Sequence, residues 1–137
     1  MGTWYEIARY PNSFEKGMSH VKAHYSLSDD GTILVVNSGL KNGKPKDIAG
    51  FARFAGETPS GELEVSFFRP FYSPYRIIML EDDYSAAIVC GKTDHYLWLL
   101  SRTPEISEKK MQNYISWMQQ NGLPVEGLEY PAQSGNP

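Results

Sequence analysis

Cysteine is nearly missing from this chain. Cys90 stands alone, so no disulfide can form within one molecule, and packing and hydrogen bonds must hold the fold. Long apolar runs are missing as well: no stretch of eighteen apolar residues occurs, which excludes a spanning helix. Basic charge is scarce, with 13 Lys and Arg against 16 Asp and Glu and a net charge of -3. A nucleic-acid binder needs a basic stripe, and none is here. The sequence shows no signal peptide. Its first strand-like segment begins at residue 2 without a lead-in, so the native N-terminus is expected to have been removed. What the chain does have is rings, nine Tyr, six Phe and three Trp in 137 residues. Such wealth suits strands and apolar pockets.

The length fits one domain, 1–137, and the pattern within it is mostly period two. Gly2 to Ala8 alternates, carries aromatic weight and reads as a strand. The loop Arg9–Gly17 follows. Further strands are expected at His20–Leu27, Thr32–Gly39, Asp47–Phe54, Glu62–Phe68, Tyr75–Glu81, Tyr84–Cys90 and Tyr96–Arg102. Turn chemistry separates them, as in Ser28-Asp29-Asp30-Gly31 and Lys41-Asn42-Gly43-Lys44-Pro45. Then the period changes. Ser107 suits an N-cap for a helix from Glu108 to about Gln120, with Met111, Tyr114, Ile115 and Met118 as its apolar stripe and Gly122 as its stop. Leu128-Glu129-Tyr130 could add a short edge strand, and the tail, 131–137, is expected to be flexible.

One helix cannot cover eight strands. Closing the sheet on itself buries the remaining apolar face and removes both edges. The expected fold is therefore all-β: an eight-stranded antiparallel up-and-down β-barrel spanning 2–102, with one C-terminal flanking α-helix. Such a barrel has room for one small ligand.

Alternation then assigns the faces. Polar His20, Lys22 and His24 point out, so Val21, Ala23 and Tyr25 point in. Val35 and Asn37 are assigned inward on the third strand, and Ile48, Gly50, Ala52 and Phe54 on the fourth, opposite Arg53. Glu64 and Ser66 face water, which leaves Leu63, Val65 and Phe67 inside. Arg76 goes out and Tyr75, Ile77 and Met79 go in. On the last strand the smoother face, Leu97 and Leu99, suits the helix, so Tyr96, Trp98 and Leu100 line the lumen. No inward-facing cation is expected near the mouth.

Meander order places the long loops, Arg9–Gly17 and Pro70–Pro74, at one end of the barrel, the mouth. Arg69, Phe71 and Tyr72 could meet a head group there, or could form an ordinary surface loop. The other end receives Gly2 and Trp4, the turn at Asp83 and Tyr84, and Arg102. An arginine over the Trp4 indole would plug that end by cation–π contact.

These residues resemble a known family. Gly2-Thr3-Trp4 resembles the first lipocalin motif, Asp83-Tyr84 the second (with Asp82 in place of its usual threonine) and Arg102 the third. The wording of Trp4-Tyr5-Glu6-Ile7-Ala8-Arg9, Val65-Ser66-Phe67-Phe68 and Tyr96–Pro104 is most similar to bacterial lipocalins of the outer-membrane lipoprotein type, themselves similar to apolipoprotein D. The resemblance implies a barrel that binds fatty acids, lysophospholipids or other small hydrophobic molecules. It implies further a tether to the outer membrane through a lipidated N-terminal cysteine in the full-length form, the present chain itself being soluble. Oligomeric state is not read from it.

Sharper readings of single residues are weighed against plain ones. His20 and His24 share a face but lie roughly 13 Å apart on a strand, too far for one zinc, so no metal site is assigned. Asp82 and Asp83 fit a turn better than an acid/base pair. Cys90 lacks a partnering histidine pattern and fits a buried thiol. No catalytic residue and no cofactor are assigned. The alternatives kept open are an isomerase on the same barrel, using Cys90 or a tyrosine, and a pigment or haem carrier.

Overall fold

The structure is a computed structural model that describes residues 2–11, 15–54, 62–68, 71–93, 96–131 and 133. The side chains of Glu62, Phe67, Phe68, Phe71 and Tyr72 fall outside that description.

Eight strands run in chain order: β1 (Gly2–Arg9), β2 (Met18–Leu27), β3 (Ile33–Lys41), β4 (Lys44–Phe54), β5 (Glu62–Phe68), β6 (Phe71–Leu80), β7 (Ala86–Cys90) and β8 (Leu97–Ser101). Each pairs antiparallel with the next, and β8 pairs with β1, which closes the barrel. The period-two pattern therefore carried the architecture. Differences lie at the ends. The third hairpin is tighter than a five-residue turn, because Lys41 pairs with Lys44 across Asn42 and Gly43. Both central residues take positive φ, 53° and 78°, as a two-residue Asn-Gly turn requires. β6 starts at Phe71, so most of the expected Pro70–Pro74 loop is strand, and Arg69 and Pro70 lie outside the described residues.

The helix α1 (Glu108–Gln120) falls where the sequence placed it. Ser107 Oγ accepts the Lys110 N–H at 3.2 Å, and Gly122, at φ 74°, ends the helix as the Leu123 N–H reaches Met118 O at 2.9 Å. Tyr114 and Met118 bury against Ile7, Ala8, Ala86, Ile88, Leu97 and Leu99. Trp117, rather than Ile115, completes the apolar stripe on that core. Beyond the helix, Leu128–Tyr130 contributes one antiparallel bridge, Glu129 to Arg9. In the tail, Gln133 Nε2 donates to Glu6 O and Val21 O, each at 2.8 Å, so this residue is held. Residues 132 and 134–137 lie outside the described ones.

Four register shifts, one of them on β5 between Val65 and Phe68, interrupt the alternation of the described strands. On β1 the register with β8 shifts between Glu6 and Ala8. Ile7 and Ala8 both turn to the helix, and Arg9 turns inward opposite Trp98. On β2 the shift lies between Ser19 and Lys22, where His20 has φ 55°. On β6 it lies between Ile77 and Met79.

Candidate ligand-binding site

The barrel encloses a cavity of about 720 Å³, within the range of roughly 300–1,000 Å³ typical of small-molecule sites. Its wall draws on strands all round the barrel. Ala23 and Tyr25 come from β2, Val35 and Asn37 from β3, Ile48 and Ala52 from β4, Leu63 and Val65 from β5, and Tyr75 from β6. Tyr96, Trp98 and Leu100 complete it. All of these were assigned inward from alternation.

Five assigned residues, Val21, Gly50, Phe54, Ile77 and Met79, do not border this cavity, and Phe67 lies outside the described side chains. Val21 is buried, but its side chain lies over Gly39 at the β2 bulge, where Gly39 leaves the room: a Cβ there would sit 3.3 Å from Val21 Cγ2 and 2.9 Å from Ser19 O. Phe54 is exposed at the last position of β4, past the end of the enclosed volume. Ile77 does face inward, yet it packs into the closed-end core with Trp4, Ala87, Val89 and Leu100 rather than onto open space. Met79 points the other way. The extra residue Ile78 in the β6 bulge pairs Met79 with Ile88, whose face carries the helix, so Met79 joins the outer core. Ser66, read as facing water, is buried opposite Phe51.

Alternation also missed a buried polar cluster. Glu6 and Glu15 border the cavity, and Arg9 lies beside them, 3% exposed. Arg9 Nη1 donates to Glu6 Oε1 at 3.2 Å, Nη2 to Met18 O at 2.9 Å, and Nε to Glu129 Oε1 at 3.2 Å. Trp98 Nε1 donates to Glu15 Oε1 at 3.0 Å, which ties the central lumen ring to the mouth loop. Burial pushes the Glu6 carboxyl well above its ordinary range, helped by its hydrogen bond to Glu15. The cluster corrects the expectation of no inward-facing cation near the mouth. One signal was available for Glu6: it shares parity with Trp4, so an inward Trp4 implies an inward Glu6. Nothing in the residue types announces the bulge that turns Arg9 in.

Deeper in the lumen, Tyr25 and Tyr75 reach across from β2 and β6, and their hydroxyls meet at 2.6 Å. Burial raises the Tyr25 hydroxyl to about 12 and the Tyr75 hydroxyl well above its usual value. Tyr75 and Tyr96 flank Trp98, with ring centroids 6.2 and 6.5 Å away. Gly91 holds the mouth turn close to this group. Its N–H donates to Tyr96 O at 2.7 Å, and a Cβ there would fall 2.6 Å from Tyr96 Cβ.

The far end is shut. The Arg102 guanidinium lies 3.8 Å from the centroid of a Trp4 ring, and its Nη1 donates to Thr3 O at 3.2 Å. Arg102 Nε also donates to Tyr84 O at 3.3 Å. Tyr84 adopts φ 59° in a turn that Asp83 secures by accepting the Ser85 N–H at 3.0 Å; hydrogen bonds from the Ser85 side chain and then its backbone lower the Asp83 carboxyl below its usual range. Gly2 closes the set: at φ 81° it lets Arg102 Nη1 within 3.1 Å of where a Cβ would be. Gly2, Trp4, Asp83, Tyr84 and Arg102 thus assemble as one plug, as meander order required.

The residues read as plain are plainly engaged. Cys90 is buried and donates to Thr93 O at 3.4 Å. His24 Nδ1 is hydrogen-bonded to Thr3 Oγ1 at 2.9 Å on the outer surface.

A family profile described as Lipocalin-like domain matches residues 1–133. The chain belongs to the lipocalin family. It is 43% identical over 137 residues to an outer membrane lipoprotein Blc of Citrobacter freundii, covering 98% of this chain and 77% of that one. It is 31% identical to mouse apolipoprotein D over 146 residues, covering all of this chain and 76% of the relative. Lobster apocrustacyanin A1 shares the fold, with a TM-score of 0.75 at 18% identity over 98% of this chain and 77% of that one. For this lipocalin, the apolar lumen is a binding site for a small hydrophobic molecule, and no described helix is long and apolar enough to cross a membrane.

Proposed function

We propose that the protein carries a single-chain lipid, a lysophospholipid or a fatty acid, with its acyl chain in the lumen and its head at the mouth. The observation that carries this reading is the cavity, apolar in most of its wall, bordered by the charged Lys92 and Asp47, and shut at the Trp4–Arg102 end. Each methylene transferred from water contributes about 0.8 kcal/mol, so an acyl chain supplies most of the affinity. The polar mouth residues then favour a neutral or zwitterionic head. Kinship with outer membrane lipoproteins supports a role in envelope lipid maintenance and attachment through a lipidated N-terminus in the full-length form. The reading is of a carrier rather than an enzyme.

A fluorescent fatty-acid probe tests it. Trp98→Ala should weaken binding about tenfold, because the ring forms a cavity wall and loses its contact area. His24→Ala, on the outer face, should leave binding unchanged. Lipid recovered after incubation should have the mass of the lipid added. Equal effects of the two variants, or a chemically altered lipid, would contradict the proposal.

A further inference from the structure

The lumen contains a feature that an acyl chain ending in a methyl group does not need. In a closed barrel of eight strands, β2 and β6 stand on opposite walls. Tyr25 and Tyr75 therefore span the interior and meet hydroxyl to hydroxyl at 2.6 Å. Both rings border the cavity and also pack on the two closed-end clusters, around Trp4 and Leu100 and around Ile33 and Leu63. The bar thus crosses the lumen where open space meets packed core.

Hydrogen-bond arithmetic leaves this bar incomplete. Each phenol has one O–H, and a mutual bond uses one of the two. Among the described residues neither hydroxyl has another partner, so one O–H remains to donate. A buried donor without an acceptor is costly, whereas a ligand that supplies an oxygen recovers the bond. We propose that the paired hydroxyls of Tyr25 and Tyr75 are a deep anchoring point for a neutral oxygen acceptor on the ligand, an alcohol, ketone or ester carbonyl placed toward its leading end.

The acceptor is neutral for two reasons. The charged residues on the cavity wall are Glu6, Glu15, Asp47 and, at the mouth, Lys92, and the buried Arg9 beside the two glutamates is already bonded to Glu6, Met18 O and Glu129. A carboxylate driven that deep would be desolvated without a counter-charge. Burial first, and the Glu6 and Glu15 carboxyls after it, keep both phenols protonated, as donors. The inference rests on the proposed lumenal binding and adds a ligand class to it.

Three probes of equal length separate the two: tetradecan-2-one, tetradecanoate and 1-tetradecene, each competing with a fluorescent probe already in the cavity. They are compared in the wild type, in Tyr75→Phe and in the Tyr25→Phe/Tyr75→Phe double variant, with near-UV circular dichroism confirming the fold. The double variant removes both donors and should weaken the ketone about three- to tenfold, the worth of one neutral hydrogen bond, while leaving the alkene unchanged or tighter. Tyr75→Phe keeps the Tyr25 O–H and should hold the ketone within about twofold. Parallel shifts for ketone and alkene, or a larger loss for tetradecanoate than for the ketone, would overturn the anchor or its neutral character. If none of the three displaces the probe from the wild type, lumenal binding itself fails. A double variant that does not fold leaves the decision to Tyr75→Phe: loss of the ketone with the alkene retained would contradict a spare Tyr25 donor.

Discussion

Glu6 shows how a single residue can depart from its usual role. A carboxylate paired in a protein commonly has a lowered pKa and stabilises the fold above it. Here burial dominates and the Glu6 carboxyl is held well above 4.5. The unfolded chain gives up this proton near 4.5, while the folded chain keeps it to higher pH. Between those two values the folded state binds more protons, so the contribution of Glu6 is full below the unfolded value and declines as pH rises toward the folded one. Glu6→Gln removes the titration. The stability of the variant relative to wild type, measured by urea unfolding, should therefore improve as pH rises above 4.5. A difference that is flat or worsens with pH would show that Arg9 outweighs burial.

Among the elements, β7 and β8 divide the protein's two tasks. Val89 and Trp98 pair toward the lumen, and Ile88 and Leu99 pair toward the helix. Met118, fully buried against the outer face, belongs to stability alone. Met118→Ala should cost about 2–5 kcal/mol in urea unfolding and leave probe affinity unchanged at pH and denaturant levels where the variant is folded. Loss of affinity in the folded variant would couple the helix to the lumen. The legibility of the chain follows the same division. Where strands keep their pleat, as from Ala23 to Tyr25 or Trp98 to Leu100, residue type alone tells inside from outside. Where one extra residue enters, parity reverses beyond it: Met79 ends on the face opposite to the expected one, and Arg9, expected in a loop, turns inward at the end of β1. Ile7 and Ile78 look like any strand residue, so nothing local marks the reversal. Phe54 fails for a simpler reason: the strand outlasts the cavity, and its final inward position opens to water.

At the scale of the whole molecule, the barrel is shut at one end. Trp4 and Arg102 lie 98 residues apart in the chain and join the first strand to the last. Arg102→Ala removes the cation–π contact and the bonds to Thr3 O and Tyr84 O. It should lower stability by about 1–3 kcal/mol in urea unfolding. Probe affinity should stay within about threefold, because the cavity wall lies on the other side of the closed-end core. A tenfold loss of affinity with stability intact would make Arg102 a ligand residue instead. Carriage in the lumen requires the lipid chain to lie inside the barrel. Intermolecular NOEs between the acyl methylenes of a bound lysophospholipid and the protein methyl groups locate it directly. The expected contacts are to Val35, Ile48, Leu63 and Val65, with none to Leu97 or Leu99. Contacts confined to exposed Leu27 and Leu80 on the outer surface, with the lumenal methyls silent, would contradict it.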